Sequence, residues 1–202
     1  VLSSVINRDN WQLATLLFHE LAHQVVYIPG DTLFNESFAT SVEQAGLQRW
    51  LAANNGADAA AELQAAAQSE ARQADFVALV QETTRDLRVL YASGQSEPQM
   101  RAAKAQRVQE LRESYAQLVQ KWGGYTGYDN WFAQDLNNAQ LGTVATYNTL
   151  VPAFTTLLEQ TGSFPAFYQA VKALAELAPE ARATRLDSLK MMASVQNPAK
   201  ID

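Results

Sequence analysis

Two runs of apolar residues constrain this chain more than any other feature. Phe76, Val80, Thr83, Leu87 and Leu90 are spaced 4, 3, 4 and 3, and Val108, Leu111, Tyr115, Leu118 and Trp122 repeat the spacing as 3, 4, 3 and 4. Steps that alternate between three and four residues draw a stripe along one side of an α-helix, and such a stripe is stable only against another helix. Between the runs lies Ser93-Gly94-Gln95-Ser96-Glu97-Pro98, a cluster that breaks helices. Folding about residue 95 sets Leu87 near Ala105, Thr83 near Leu111 and Phe76 near Leu118. The pattern predicts an antiparallel helical hairpin over 57–122. Nothing in it resembles a catalytic constellation. It reads as a structural arm, or as a surface for helix-mediated partner binding or self-association.

The remaining segments also read as helices. Asp9 or Asn10 can cap a helix that runs to about Tyr27, with Trp11, Leu13, Leu16, Leu17, Leu21 and Val25 as its apolar positions. Pro29-Gly30-Asp31 stops it, and a second helix begins within Thr32–Asn35 and runs to about Leu51. Asn54-Asn55-Gly56 marks a break. After the aromatic loop Gly123–Tyr128, a helix from Asn137 or Asn138 to about Gln160 should be kinked by Pro152. Helices over 164–177 and 179–192 follow, and the tail from Gln196 frays. No segment reads as a strand. The expected organisation is one mainly α domain: metal-site helices in 1–56, the hairpin arm in 57–122, and C-terminal helices in 123–202 packed on the first group.

Composition narrows the chemistry. The 202 residues include no cysteine, which excludes disulfides, zinc ribbons and thiol nucleophiles. Formal net charge is −6, and arginine and lysine form no one-sided patch. Binding to nucleic acid or to a membrane surface is excluded on that ground. No apolar run approaches the roughly 20 residues of a membrane span. The opening VLSSVINRDNW has no initiator Met and no signal peptide, and reads as a processed or truncated chain.

Only two histidines are present, and both lie in one pentapeptide, His19-Glu20-Leu21-Ala22-His23. Two histidines placed at random would fall four apart in only about 1% of chains this long, so the motif asks for an explanation. On a helix, residues i and i+4 share a face, and two imidazoles so placed can bind one zinc ion. Glu20 then lies beside the metal without binding it, where it can act as general base. A catalytic zinc takes three protein ligands. With no third histidine, a carboxylate must serve. Glu36 ranks first, on the second helix after the Pro-Gly turn; Glu43 and then Asp31 rank behind it. Asn35 reads as a helix cap or as a partner that orients a histidine.

FHELAHQVVYIPGDTLFNESFAT, followed by NNAQL, TYNTLVPAF and the pair Phe167-Tyr168, resembles a bacterial family known as putative aminopeptidases. More broadly, HELAHQ with NESFAT resembles the gluzincin class of zinc peptidases. The likeness covers most of the chain. It implies one zinc ion held by His19, His23 and Glu36, with Glu20 as general base and acid. It also implies a longer N-terminal region, often with a lipoprotein-type export signal, and so a place in the bacterial cell envelope or periplasm. In gluzincins a sheet precedes the HExxH helix, and this zincin-like helical domain is expected to lack it. An aminopeptidase needs an acidic anchor for the substrate's α-amine, for which Glu43, Asp129 and Asp135 are candidates. Tyr147 is the leading candidate to stabilise an oxyanion, ahead of Tyr27, Tyr125 and Tyr128. The function expected is a zinc-dependent metallopeptidase acting on peptide or protein substrates. The alternative is a non-catalytic helical scaffold or partner-binding protein with a structural metal site.

Overall fold

The structure, a computed structural model, describes residues 9–53 and 59–196. Among the described residues it forms nine α-helices and no strand. They are α1 (Asn10–Val25), α2 (Thr32–Ala53), α3 (Ala59–Tyr91), α4 (Glu97–Lys121), α5 (Asp129–Phe132), α6 (Asn138–Tyr147), α7 (Val151–Thr161), α8 (Phe164–Ala175) and α9 (Pro179–Gln196). The expected breaks at 54–56 and beyond Gln196 fall outside the described residues. Two compact units result, one taking in the chain to residue 66 together with 147–202, the other 67–146.

In the first unit the sequence marks the helix ends. Asp9 starts α1, its backbone N–H donating to Gln12 Oε1 at 3.2 Å. The helix ends at Val25, two residues before the expected Tyr27. Val26 is already extended, at φ −143° and ψ 130°. The β-branched pair Val25-Val26 and the extended backbone favoured just ahead of Pro29 both work against a further turn. The core joins α1 and α2 to α7, α8 and α9, with Phe34, Phe38, Phe154 and Phe167 fully buried at its centre. Phe154 meets Phe34 edge-on at 5.1 Å between ring centroids.

The apolar face of α1 differs from the sequence expectation. Leu17 and Leu21 are each 58% exposed, whereas Ala14 and Ala22 are buried. Small residues, not leucines, let α1 lie close to α2. Gly46 on α2 is one such place, where a Cβ would stand 2.9 Å from Phe18 Cγ on α1.

The long helix expected from Asn138 to Gln160 is two helices. α6 stops at Tyr147 and α7 restarts at Val151, with Pro152 in its first turn. In a continuous helix the Pro152 ring would strike the carbonyl four residues back and leave a hydrogen bond unmade. Placed in a first turn it costs nothing, so the chain breaks rather than kinks.

In the second unit α3 and α4 run as the antiparallel hairpin. Val80, Leu87, Leu111 and Tyr115 line its core. Arg107 bonds Asp86 at 2.7 Å and Lys121 bonds Asp75 at 2.8 Å, which fixes the register of the two arms. The segment 123–146 packs on the hairpin: Phe132, Leu136 and Leu141 join the same core, and Tyr128 stacks on Phe76 at 4.3 Å. The short helix α5 was not legible in the sequence. NNAQL is a helix start, in which Asn137 and Gln140 exchange backbone-to-side-chain hydrogen bonds of 3.0 Å each.

Candidate metal centre

The helix α1 carries His19 and His23 one turn apart, and α2 carries Glu36 in its second turn. The two helices meet so that three ligand atoms converge. His19 Nε2 and His23 Nε2 are 3.3 Å apart. Glu36 Oε2 is 3.4 Å from His19 Nε2, and Glu36 Oε1 is 3.8 Å from His23 Nε2. All three side chains are partly buried.

Glu43 completes the arrangement. It stands seven residues after Glu36, on the same face of α2, and its Oε2 lies 2.9 Å from His19 Nδ1. A carboxylate can only accept, so Nδ1 carries the proton. In the neutral ring, Nε2 is then a lone pair, and it faces the Glu36 carboxylate. A lone pair against a carboxylate oxygen repels unless a cation lies between them. The cation can be a proton, and His19 is held above the ordinary histidine value, chiefly by the hydrogen bond to Glu43 and by the charges of Glu43, Glu36 and Glu20, against the opposing effect of burial.

It can also be a metal. Two nitrogens bound tetrahedrally to zinc at roughly 2.0–2.1 Å each stand about 3.3–3.4 Å apart, close to the spacing of the two Nε2 atoms. The donor set, two imidazoles and one carboxylate, is one that zinc and other divalent transition metals accept. His19, His23 and Glu36 therefore fit a divalent metal.

The two histidines are held differently. His19 is fixed by Glu43. His23 Nδ1 is buried without a hydrogen-bond partner, and its ring is placed by edge-on packing against His19 at 5.0 Å and Tyr27 at 6.3 Å.

Glu20 is exposed to solvent on α1, next to His19. Asp31 caps α2: its Oδ1 accepts from Phe34 N–H at 3.1 Å, and its Oδ2 pairs with Arg182 at 3.1 Å. Asn35 neither caps a helix nor touches a histidine. It is 2% exposed, and its amide bonds the backbone of Ile28. Tyr147 is partly buried at the end of α6, and its carbonyl accepts from Ser37 Oγ at 2.7 Å, one residue beyond Glu36. Tyr27 is exposed at the start of the α1–α2 junction, edge-on against His23. Asp129, Tyr125 and Tyr128 belong to the second unit. There Asp129 accepts from the Tyr115 hydroxyl, Arg72 covers Tyr125 at 4.2 Å, and burial pushes the Tyr128 phenol up to about 12. Asp135 is exposed on that unit. Phe167 and Tyr168 pack in and against the first core.

The sequence picked out the three residues that could hold a metal, and named Glu43 and Asn35 in other roles, but gave no sign of Arg182. Glu43 was visible as a carboxylate two turns from Glu36, yet spacing alone could not separate a ligand from a ligand's partner. The roles of Asn35 and Arg182 rest on contacts with a loop backbone, which leave no pattern in the sequence.

No curated protein and no solved structure matches the chain. The family described as "Putative aminopeptidase" matches residues 1–186. With nearly the whole chain covered, this protein belongs to that family.

Proposed function

We propose that this chain is a zinc-dependent metallopeptidase of the gluzincin type, acting on peptide N-termini. The observation that carries the reading is the convergence of His19 Nε2, His23 Nε2 and the Glu36 carboxylate, with Glu20 exposed, adjacent to His19 in sequence and acting on it by charge. Family membership supports a peptidase and adds the preference for an amino terminus.

His19, His23 and Glu36 would hold the metal. Zinc, when bound, supplies a Lewis acid for the scissile carbonyl and lowers the pKa of a water toward 7. The remaining work falls to side chains of this protein. Glu43 holds the proton on His19 Nδ1, which keeps Nε2 free as a donor atom. Glu20 takes a proton from the attacking water and passes it to the departing amine. Its solvent exposure gives water and substrate access to it. Tyr147 is the proposed oxyanion donor, supported by the bond from Ser37 that ties its backbone to α2 beside Glu36.

The test is Glu20→Gln. The variant should retain about one zinc per chain and lose peptide hydrolysis by at least about 100-fold, the scale expected for a general base. Hydrolysis at the wild-type rate would overturn the mechanism.

A further inference from the structure

We propose that Asn35 is a positioning residue that sets Glu36 against the histidine pair; the proposal rests on reading His19, His23 and Glu36 as a metal site. Asn35 Oδ1 accepts from the Ile28 N–H at 2.9 Å, and Asn35 Nδ2 donates to the Ile28 carbonyl at 2.8 Å. One side chain therefore satisfies both polar groups of a single backbone residue. Only this orientation of the amide pairs donor with acceptor at both ends.

Ile28 is itself held. Asp31 N–H donates to the Ile28 carbonyl at 3.1 Å, and Gly30 has φ +83°. Pro29 and Gly30 thus occupy the central positions of a type II turn, where proline presets φ and glycine accepts the positive value. The turn gives Asn35 a rigid target. Ile28 lies five residues after His23, and Asn35 immediately precedes Glu36. The clamp is a strut from the backbone leaving α1 to the first turn of α2, and it fixes where Glu36 begins.

Capping does not explain the residue, because Asp31 caps α2 and Arg182 secures Asp31. Side-chain chemistry explains why asparagine is needed. Aspartate would set an oxygen against the Ile28 carbonyl. Leucine would leave the Ile28 N–H without a partner and the Ile28 carbonyl with the Asp31 N–H alone. Glutamine would push the helix away by one methylene.

Cobalt(II) in place of zinc in the full chain separates positioning from mere stability, because its visible absorption is strong in four-coordinate sites and weak at higher coordination. Glu36→Gln calibrates the loss of the carboxylate ligand. Asn35→Asp should bind cobalt roughly 10- to 100-fold more weakly, the range for loss of a group that orients a ligand. At saturation its absorption per bound ion should fall toward that of Glu36→Gln. A purely structural residue would lower the melting temperature of the metal-free protein and leave that absorption unchanged, and this result would overturn the proposal. If Asn35→Asp does not fold, Gly30→Ala decides. Its new Cβ meets nothing within 4 Å, so it acts only by straining the turn under Ile28. Weakened absorption supports the clamp, and wild-type absorption sinks it. A wild-type protein that takes up no cobalt would remove the metal site itself, an outcome distinct from normal uptake by both variants.

Discussion

A histidine that offers one ring nitrogen to a cation must have the other nitrogen held, or the ring turns and the tautomer drifts. Glu43 does this for His19, while His23 relies on its neighbours' rings. The difference makes Glu43 a sensitive position. Glu43→Gln keeps an oxygen that can accept from Nδ1 but removes the charge that makes Nε2 a better donor. Zinc affinity, measured by competition with a chromophoric chelator, should fall roughly 10- to 100-fold. Unchanged affinity would mean that the carboxylate is incidental. At this scale the sequence was readable in kind but not in role. Residue type and spacing singled out HELAH and Glu36, which do come together as a group that could hold a metal ion. Whether Glu43 touches the metal or the histidine is a matter of about one bond length, set by how closely two helices approach.

That approach is an element-scale property, and it turns on Gly46. Glycine inside a helix sacrifices about 1 kcal/mol relative to alanine, so Gly46→Ala should stabilise α2 if nothing opposed it. Phe18 opposes it, because the new Cβ would stand 2.9 Å from the ring's attachment carbon. The expected net result is a loss of about 1–3 kcal/mol, read as a lower melting temperature, together with weaker zinc binding as α1 is pushed off α2. A more stable variant with normal zinc binding would contradict this account.

The hairpin makes a separate prediction at the same scale. Burial pushes the Asp75 carboxyl up, but hydrogen bonds from Lys121 and Trp122 outweigh it and hold the group below its usual value of 3.8. A depressed carboxyl stabilises the fold above its unfolded-state value, and the contribution is lost as pH falls through the folded-state value. Asp75→Asn should therefore lower the melting temperature near pH 7, and the gap should close below about pH 4. A gap independent of pH would assign the effect to packing. The heptad seams made this hairpin legible beforehand, since a stripe of apolar residues at helical spacing has few other uses. The ion pairs that lock its register were not, because charges on exposed faces pair in many ways.

For the molecule as a whole, the all-helical architecture could be read from periodicity and from proline and glycine punctuation. What escaped was a break whose cause was seen and whose outcome was misjudged, at Asn148–Leu150, and the short helix α5, too brief to show a period. The grouping of 123–146 with the hairpin also depends on aromatic contacts between residues far apart in sequence, such as Phe76 with Tyr128 and Tyr115 with Phe132. The site belongs wholly to the unit that contains α1 and α2. Zinc added to metal-free protein should slow amide exchange in α1 and α2, and in α7 where it shares their core, while leaving 67–146 largely unchanged. Uniform slowing along the chain, or none in α1 and α2, would argue against a site there. Among the described residues no helix is long and apolar enough to cross a membrane.

His19, His23, Glu36, Glu43 and Asn35 all fall within residues 19–43. Closing so short a stretch costs little chain entropy, since the penalty grows only with the logarithm of loop length and starts low. The α1–α2 pair can thus come together before α7, α8 and α9 return from the far end of the sequence to cover it. A metal ion present during folding would then meet its ligands early, and would serve as a template for the nascent core rather than as a final addition to a finished one.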